Sequence, residues 1–174
     1  MAEVVALVDY GAGNLHSVHN ALKAAGGEVT VTADPYVVRA ADRIVLPGVG
    51  AFRACAEGLR ALPGMIEAMT ERVHVGGAPF LGICVGMQLL ADRGLEFGAH
   101  PGLAWIPGEV RLIEPTDPAI KVPHMGWNDV ALLPHAREHP VIEEGEAYFL
   151  HSYHFAADDP RDVAAMTDHG EGLV

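Results

Sequence analysis

Basic residues are scarce in this chain: 11 Lys and Arg stand against 23 Asp and Glu, for a formal charge of −12. With no basic cluster, there is no surface to release counterions from a phosphate backbone, and nucleic acid is excluded as a partner. Cysteine is scarcer still. Only Cys55 and Cys84 occur, and their spacing predicts neither a disulfide framework nor a cysteine zinc site. Long hydrophobic runs are also missing. VVALV near the start and PFLGICVGMQLL in the middle are too short, or too broken by glycine, to span a bilayer. Glu3 stands where a signal peptide would carry basic charge, and Asp9 interrupts the apolar run, so no membrane and a cytoplasmic location are expected.

Histidine is plentiful, at ten residues. The pairs His16/His19 and His135/His139 have spacings that place two rings on one helical face. His151 and His154 fall in a strand-like segment, where that spacing sends them to opposite faces. None of these pairs brings the carboxylate or thiolate ligands that a zinc or iron site wants, so no metal and no cofactor is expected.

The chain is 174 residues long, half of them hydrophobic (50%), which suits one domain with a real core. Its first half alternates strand and helix patterns. VVALVDY, EVTVT, RIVLP and PFLGIC read as strands. Between them, helical spacing runs from Leu15 to the Gly26-Gly27 stop, from Ala51 to Leu59 and from Pro63 to Val73, with a short connector or helix turn at Pro35–Ala41. GMQLLAD then reads as a helix after the fourth strand. Such alternation predicts an α/β fold: a mostly parallel central sheet with helices on both faces. After Gly94 the pieces LAWIPGEVRLI, WNDVALL, EAYFLHSYHF and DVAAMT add antiparallel strands to the same domain, since no linker separates the halves.

Three glycine strings hold the chemistry. Gly82-Ile83-Cys84-Val85-Gly86 fits a nucleophile elbow with Cys in the place of Ser. On such a strand-to-helix turn the nucleophile's backbone is strained, and its neighbours two residues away approach each other too closely for a Cβ. The turn also sets the sulfur at a helix N-terminus, which favours thiolate, and leaves the Val85 N–H for an oxyanion. The string alone leaves open that Cys84 is only a small buried core residue. LPGVGAF (46–52) follows a strand on the sheet's C-terminal edge, where ligands bind. It reads either as the second half of an oxyanion hole, through the Val49 N–H, or as a plain turn. DYGAGN (9–14) begins like a dinucleotide fingerprint but has His16 where the third glycine belongs, and nucleotide binding is discounted.

Taken together, DYGAGNLHSV, LPGVGAF, PFLGICVGMQLL, LAWIPGEV, KVPHMGWN and YFLHSYHF resemble the glutaminase subunits of imidazole glycerol phosphate synthase. These are class I, triad-type glutamine amidotransferases, and the strings run in the family's order over most of the chain. The resemblance implies hydrolysis of L-glutamine through a thioester on Cys84. The released ammonia would go to a (β/α)8 cyclase subunit that makes imidazole glycerol phosphate and an aminoimidazole carboxamide ribonucleotide in histidine biosynthesis. It further implies an oxyanion hole at Val49 and Val85, and substrate binding by Gln88, Glu96, Ser152 and Tyr153, with Glu96 on the α-ammonium. The partner interface would be Asn14 with the loop Pro123, His124, Met125, Gly126 and Trp127.

One part of the family pattern is not found. The family completes its triad with a histidine and a glutamate two residues apart, in a string like F-H-P-E-K-S, and these 174 residues contain none. His169 and Glu171 have the spacing, yet the glycines around them mark a turn. They are read as a decoy, and the chain as a domain lacking its C-terminal end, with a degenerate copy as the alternative, inactive by itself in either case. Two other functions are kept beside the glutaminase: a non-catalytic subunit that docks on a synthase, and a stand-alone cysteine hydrolase.

Overall fold

A computed structural model describes residues 3–138, 141–170 and 172–173, so His139 and Glu171 lie outside the described residues. The chain divides into two compact units, Met1–Leu90 and Ala91–Val174.

The first unit is built on four parallel strands, β1 (Val4–Val8), β2 (Glu28–Thr32), β3 (Arg43–Gly48) and β4 (Phe80–Cys84), in the order β2-β1-β3-β4. The central strands β1 and β3 are continuous apolar runs because both of their faces are covered. Val5, Leu7 and Val45 form one buried cluster, against which Leu15, Val18 and Leu22 of α1 (Leu15–Ala24) pack. The alternate residues Ala6, Val8, Ile44 and Leu46 point to the other face and are as deeply buried. Asn14 caps α1, its side-chain oxygen accepting from the Ser17 N–H at 3.2 Å. Asp34 caps α2 (Pro35–Ala40) in the same way, at 2.8 Å from the Tyr36 nitrogen. Helix α3 (Phe52–Arg60) buries Phe52, Cys55, Ala56 and Leu59, and α4 (Met65–Thr70) buries Met65, Ala68 and Met69.

The helix expected to reach Val73 changes character after Thr70. Residues Glu71–Val75 form a π-helical turn, closed by the Gly76 N–H on the Glu71 carbonyl at 2.9 Å. The helix expected over GMQLLAD is also shorter, a single turn α5 (Val85–Gln88).

The second unit carries two further sheets. One has the order β10-β7-β5-β6, from β5 (Arg93–Gly94), β6 (His100–Pro101), β7 (Gly108–Leu112) and β10 (Tyr153–Ala157). The other has the order β12-β11-β8-β9, from β8 (His124–Leu132), β9 (Gly145–His151), β11 (Ala165–Asp168) and β12 (Gly172–Leu173). All pairs are antiparallel except β5 with β7. Val110, Ile113, Phe155 and Val163 are buried here.

Two expectations need correction. KVPHMGWN is not a loop: from His124 onward it is the start of β8, paired to β9 from His124↔His151 to Val130↔Gly145. Gly126 adopts φ +141, an extended backbone open to glycine, so it continues the strand where a loop was expected. EAYFLHSYHF, read as one strand, is two, with Ser152 the residue between β9 and β10.

Candidate active site

The first unit presents the elbow in full. Parallel pairing sets Gly48 opposite Cys84, so the C-terminal ends of β3 and β4 lie side by side. Val49 and Val85 are the next residues along each strand. Cys84 has φ 55 and ψ −120, a backbone conformation that costs an ordinary residue about 1–3 kcal/mol and persists only where its surroundings impose it.

Three glycines impose it. A Cβ on Gly82 would lie 2.6 Å from the Met87 Cα, so β4 runs directly against the first turn of α5. One on Gly86 would lie 1.9 Å from the Leu46 carbonyl oxygen, and one on Gly48 would lie 2.4 Å from the Gly86 nitrogen. Strand β3 and helix α5 thus touch backbone to backbone, and the chain can pass from β4 into α5 only by the turn that lifts Cys84 outward. The thiol is exposed, whereas Cys55 is buried, and neither forms a disulfide.

The PGVG stretch rests on two side chains that sequence reasoning did not assign. The Tyr10 hydroxyl donates to the Pro47 carbonyl at 2.6 Å. The Cys55 thiol donates to the Val49 carbonyl at 3.3 Å. Burial, and then the neighbouring Cys55 and Cys84 thiols, push the Tyr10 phenol well above its ordinary value, so it remains a protonated donor. Both contacts link residues brought together only by the fold: Tyr10 follows β1, and Cys55 lies on the buried stripe of α3. That stripe of Phe52, Cys55, Ala56 and Leu59 was the one available signal, and it predicts burial rather than a hydrogen bond.

Val85 is buried and opens α5, where the first N–H groups have no partner within the helix, while Val49 is exposed, at 54% of its full surface. Gln88 closes the same helix turn and is half-buried. In the second unit, Glu96 is half-buried between β5 and β6. Ser152 and Tyr153 are half-buried, and their carbonyls already accept: Ser152 from the Ile113 N–H at 2.9 Å, Tyr153 from the His151 ring at 3.0 Å.

Of the residues assigned to a partner interface, Asn14, Pro123, Met125 and Trp127 are exposed and Gly126 is half-buried. His124 is the exception, 3% exposed, because its ring lies stacked between Phe149 and His169. It is therefore a core residue rather than a contact residue. His169 follows β11, and Gly170 at φ +83 turns the chain there, as expected. Its Nε2 lies 2.8 Å from the Lys121 carbonyl. Among the described residues no group of three His, Cys, Asp or Glu is placed to hold a metal ion.

Known proteins resemble this chain over most of its length. Residues 6–172 match the family model for glutamine amidotransferase class-I. The chain is 55% identical to the imidazole glycerol phosphate synthase subunit HisH of Zymomonas mobilis subsp. mobilis, over 99% of this chain and 81% of that protein. With the subunit of the same name from Rhodospirillum rubrum it shares 53%, over 98% of this chain and 83% of that protein. A crystal structure of a glutamine amidotransferase superposes with a TM-score of 0.69 at 17% identity, covering 92% of this chain and 79% of that one, a likeness of fold.

Proposed function

The chain belongs to the class-I glutamine amidotransferase family, and from that premise we propose that it is the glutaminase subunit of an imidazole glycerol phosphate synthase in histidine biosynthesis. The observation that carries this reading is the exposed, strained Cys84 between backbone-packed glycines. A free thiol lifted from a sheet edge onto a helix start is a nucleophile's geometry, and no packing role requires it.

In the proposed reaction the Cys84 sulfur attacks the side-chain amide carbon of L-glutamine. The carbonyl oxygen takes up the negative charge, and the N–H groups of Val85 and Val49 receive it, each donor worth about 3 kcal/mol. Collapse expels the amide nitrogen as ammonia and leaves a thioester. Water then cleaves the thioester to glutamate and regenerates the thiol. Tyr10 and Cys55 fix the carbonyls on either side of Gly48, and so hold the peptide that presents the Val49 N–H. Gln88, Glu96 and the backbone of Ser152 and Tyr153 are assigned to the substrate, with Glu96 on its α-ammonium.

A base must take the thiol proton and return one to the leaving nitrogen. His169 is not that base in this reading, because its Nε2 is committed to the Lys121 carbonyl and its ring to the stack on His124. The ammonia goes to a (β/α)8 cyclase subunit docked on the exposed face of β8. A cytoplasmic location accords with the fact that no helix among the described residues is long and apolar enough to cross a membrane.

Glutamate release from glutamine, measured with and without a cyclase subunit, tests the proposal. Release that rises on adding cyclase and vanishes in Cys84→Ala is the expected result. Cyclase binding without release would reassign the protein as a docking subunit, and partner-independent hydrolysis of other amides would make it a separate hydrolase. Turnover by the 174-residue chain that disappears in His169→Ala would overturn the exclusion of His169.

A further inference from the structure

Away from the elbow, three imidazoles of the second unit meet at the start of β8. His124 faces His151 across the β8–β9 pair, with Nδ1 and Nε2 3.0 Å apart. His151 Nδ1 lies 3.0 Å from the Tyr153 carbonyl, and His124 Nε2 lies 3.1 Å from the Asn128 amide nitrogen. That nitrogen also donates to the Asp168 carbonyl at 2.6 Å, while the Asn128 oxygen accepts from the Asp129 N–H at 2.9 Å. The His169 ring stacks on His124 with centroids 4.2 Å apart.

These contacts leave one protonation pattern. A carbonyl only accepts, so His151 Nδ1 carries hydrogen and its neutral ring must accept at Nε2. His124 Nδ1 then donates to His151, and His124 Nε2 accepts from Asn128. Asn128 cannot reverse its amide, because Asp168 requires a donor and the Asp129 N–H an acceptor. Every bond runs in one direction, from Asn128 through His124 and His151 to Tyr153.

We propose that Asn128, His124 and His151 form a one-way hydrogen-bonded relay that tolerates only neutral imidazoles, so that adding one proton uncouples β8 and its exposed Met125–Trp127 face from β9 and β11. A proton on His124 Nε2 meets the Asn128 donor. A proton on His151 Nε2 meets the His124 donor, and turning His124 into its other tautomer only moves the clash to Asn128. Relief by flipping Asn128 breaks its bonds to Asp168 and to the Asp129 N–H. The inference rests on second-unit geometry alone and is independent of the proposed reaction.

The surroundings support it. From β9 the titratable group facing His124 is His151, beside the apolar Phe149, and from the segment after β11 it is His169, whose Nε2 donates to the Lys121 carbonyl. The Asp168 carboxylate is turned to the Gly170 N–H at 2.9 Å, and the Lys121 side chain is exposed. Burial, then His169 and His151, hold the His124 imidazole below its ordinary value. Its neutral form therefore adds stability that is complete above about pH 6.5 and is lost as pH falls through the lowered value.

Imidazole-nitrogen NMR of the 174-residue chain at about pH 8.5, above the range of about pH 5–8 in which histidine ordinarily changes charge, reads the tautomers directly. Nδ1–H on His124 and His151 with Nε2–H on His169 is expected. An Nε2–H tautomer at either His124 or His151 overturns the relay. In parallel, thermal unfolding is followed as pH falls to about 5 for the native chain and for His124→Asn, whose amide keeps a donor near the Nδ1 position without titrating. The native midpoint is expected to fall by about 3 °C more than that of the variant. Equal slopes overturn the proposal, and the tautomer measurement decides it even where His124→Asn does not fold.

Discussion

Gly48 and Gly86 meet backbone to backbone: a methyl group on Gly48 would sit 2.4 Å from the Gly86 nitrogen. This contact joins the end of β3 to the start of α5, and with it the two N–H groups assigned to the oxyanion. Both residues lie in tightly packed backbone, so neither can make room by turning a side chain.

Substitution at Gly86 is accordingly expected to be severe. In Gly86→Ala the new methyl would overlap the Leu46 carbonyl at 1.9 Å, and β3 and α5 must separate to admit it. The overpacking costs about 3 kcal/mol or more and misaligns Cys84 with its oxyanion donors. Denaturant unfolding reads the stability loss. Unaltered stability with full labelling of Cys84 by an electrophilic glutamine analogue would contradict the packing account.

Cys84 should be a site where removing the functional group stabilises the protein. Its φ of 55 strains an ordinary residue by about 1–3 kcal/mol, whereas glycine adopts it freely at an entropic cost of about 0.5–1 kcal/mol. Cys84→Gly is therefore expected to raise the unfolding free energy by about 1 kcal/mol. Iodoacetamide with peptide mapping gives the companion result: alkylation of exposed Cys84 and protection of buried Cys55 in the folded chain.

How far the sequence disclosed this site follows from the range of each interaction. The strands β1 to β4 and helices α1 and α3 are encoded by local apolar period, and the elbow glycines by a short string. Each was readable without knowing its neighbours. Tyr10 and Cys55 support Pro47 and Val49 through contacts that exist only after the sheet forms, so no local pattern marks them. Pro123 and Gly126 suggested a loop over what is the start of β8, although His124, Met125, Gly126, Trp127 and Asn128 alternate inward and outward at a strand's period. Ring stacking with Phe149 and His169, distant in the chain, is what draws His124 inside.

Tyr10 makes the alkaline limb of stability testable. Its phenol is raised above the ordinary value of about 10, so the protonated fold contributes stability that is complete below that pH and is lost as pH rises toward the raised value. Tyr10→Phe leaves the Pro47 carbonyl without its donor and should cost about 1–2 kcal/mol at neutral pH. It should also flatten the decline of stability between about pH 10 and 11, above the point where tyrosine ordinarily titrates. Parallel unfolding curves for variant and native chain over that range would remove Tyr10 as the source.

The exposed face of the β8–β9 pair should separate binding from folding. Met125 faces Leu150 and Trp127 faces Tyr148 across the strands, and the Trp127 and Tyr148 rings meet edge to face with centroids 5.8 Å apart. All four are more than half exposed, with Trp127 at 71%, so they add little to the core. Removing the Trp127 ring forfeits one cross-strand pair, about 0.5–1 kcal/mol of stability. At the centre of an interface the same truncation costs about 2 kcal/mol or more, which weakens the dissociation constant roughly 30-fold. Trp127→Ala is thus expected to unfold within a few degrees of the native protein and to bind a cyclase subunit roughly 30-fold more weakly in calorimetric titration. Unchanged affinity would take this face out of the proposed interface. A large fall in the unfolding midpoint would show that the tryptophan stabilises the fold, contrary to its exposure.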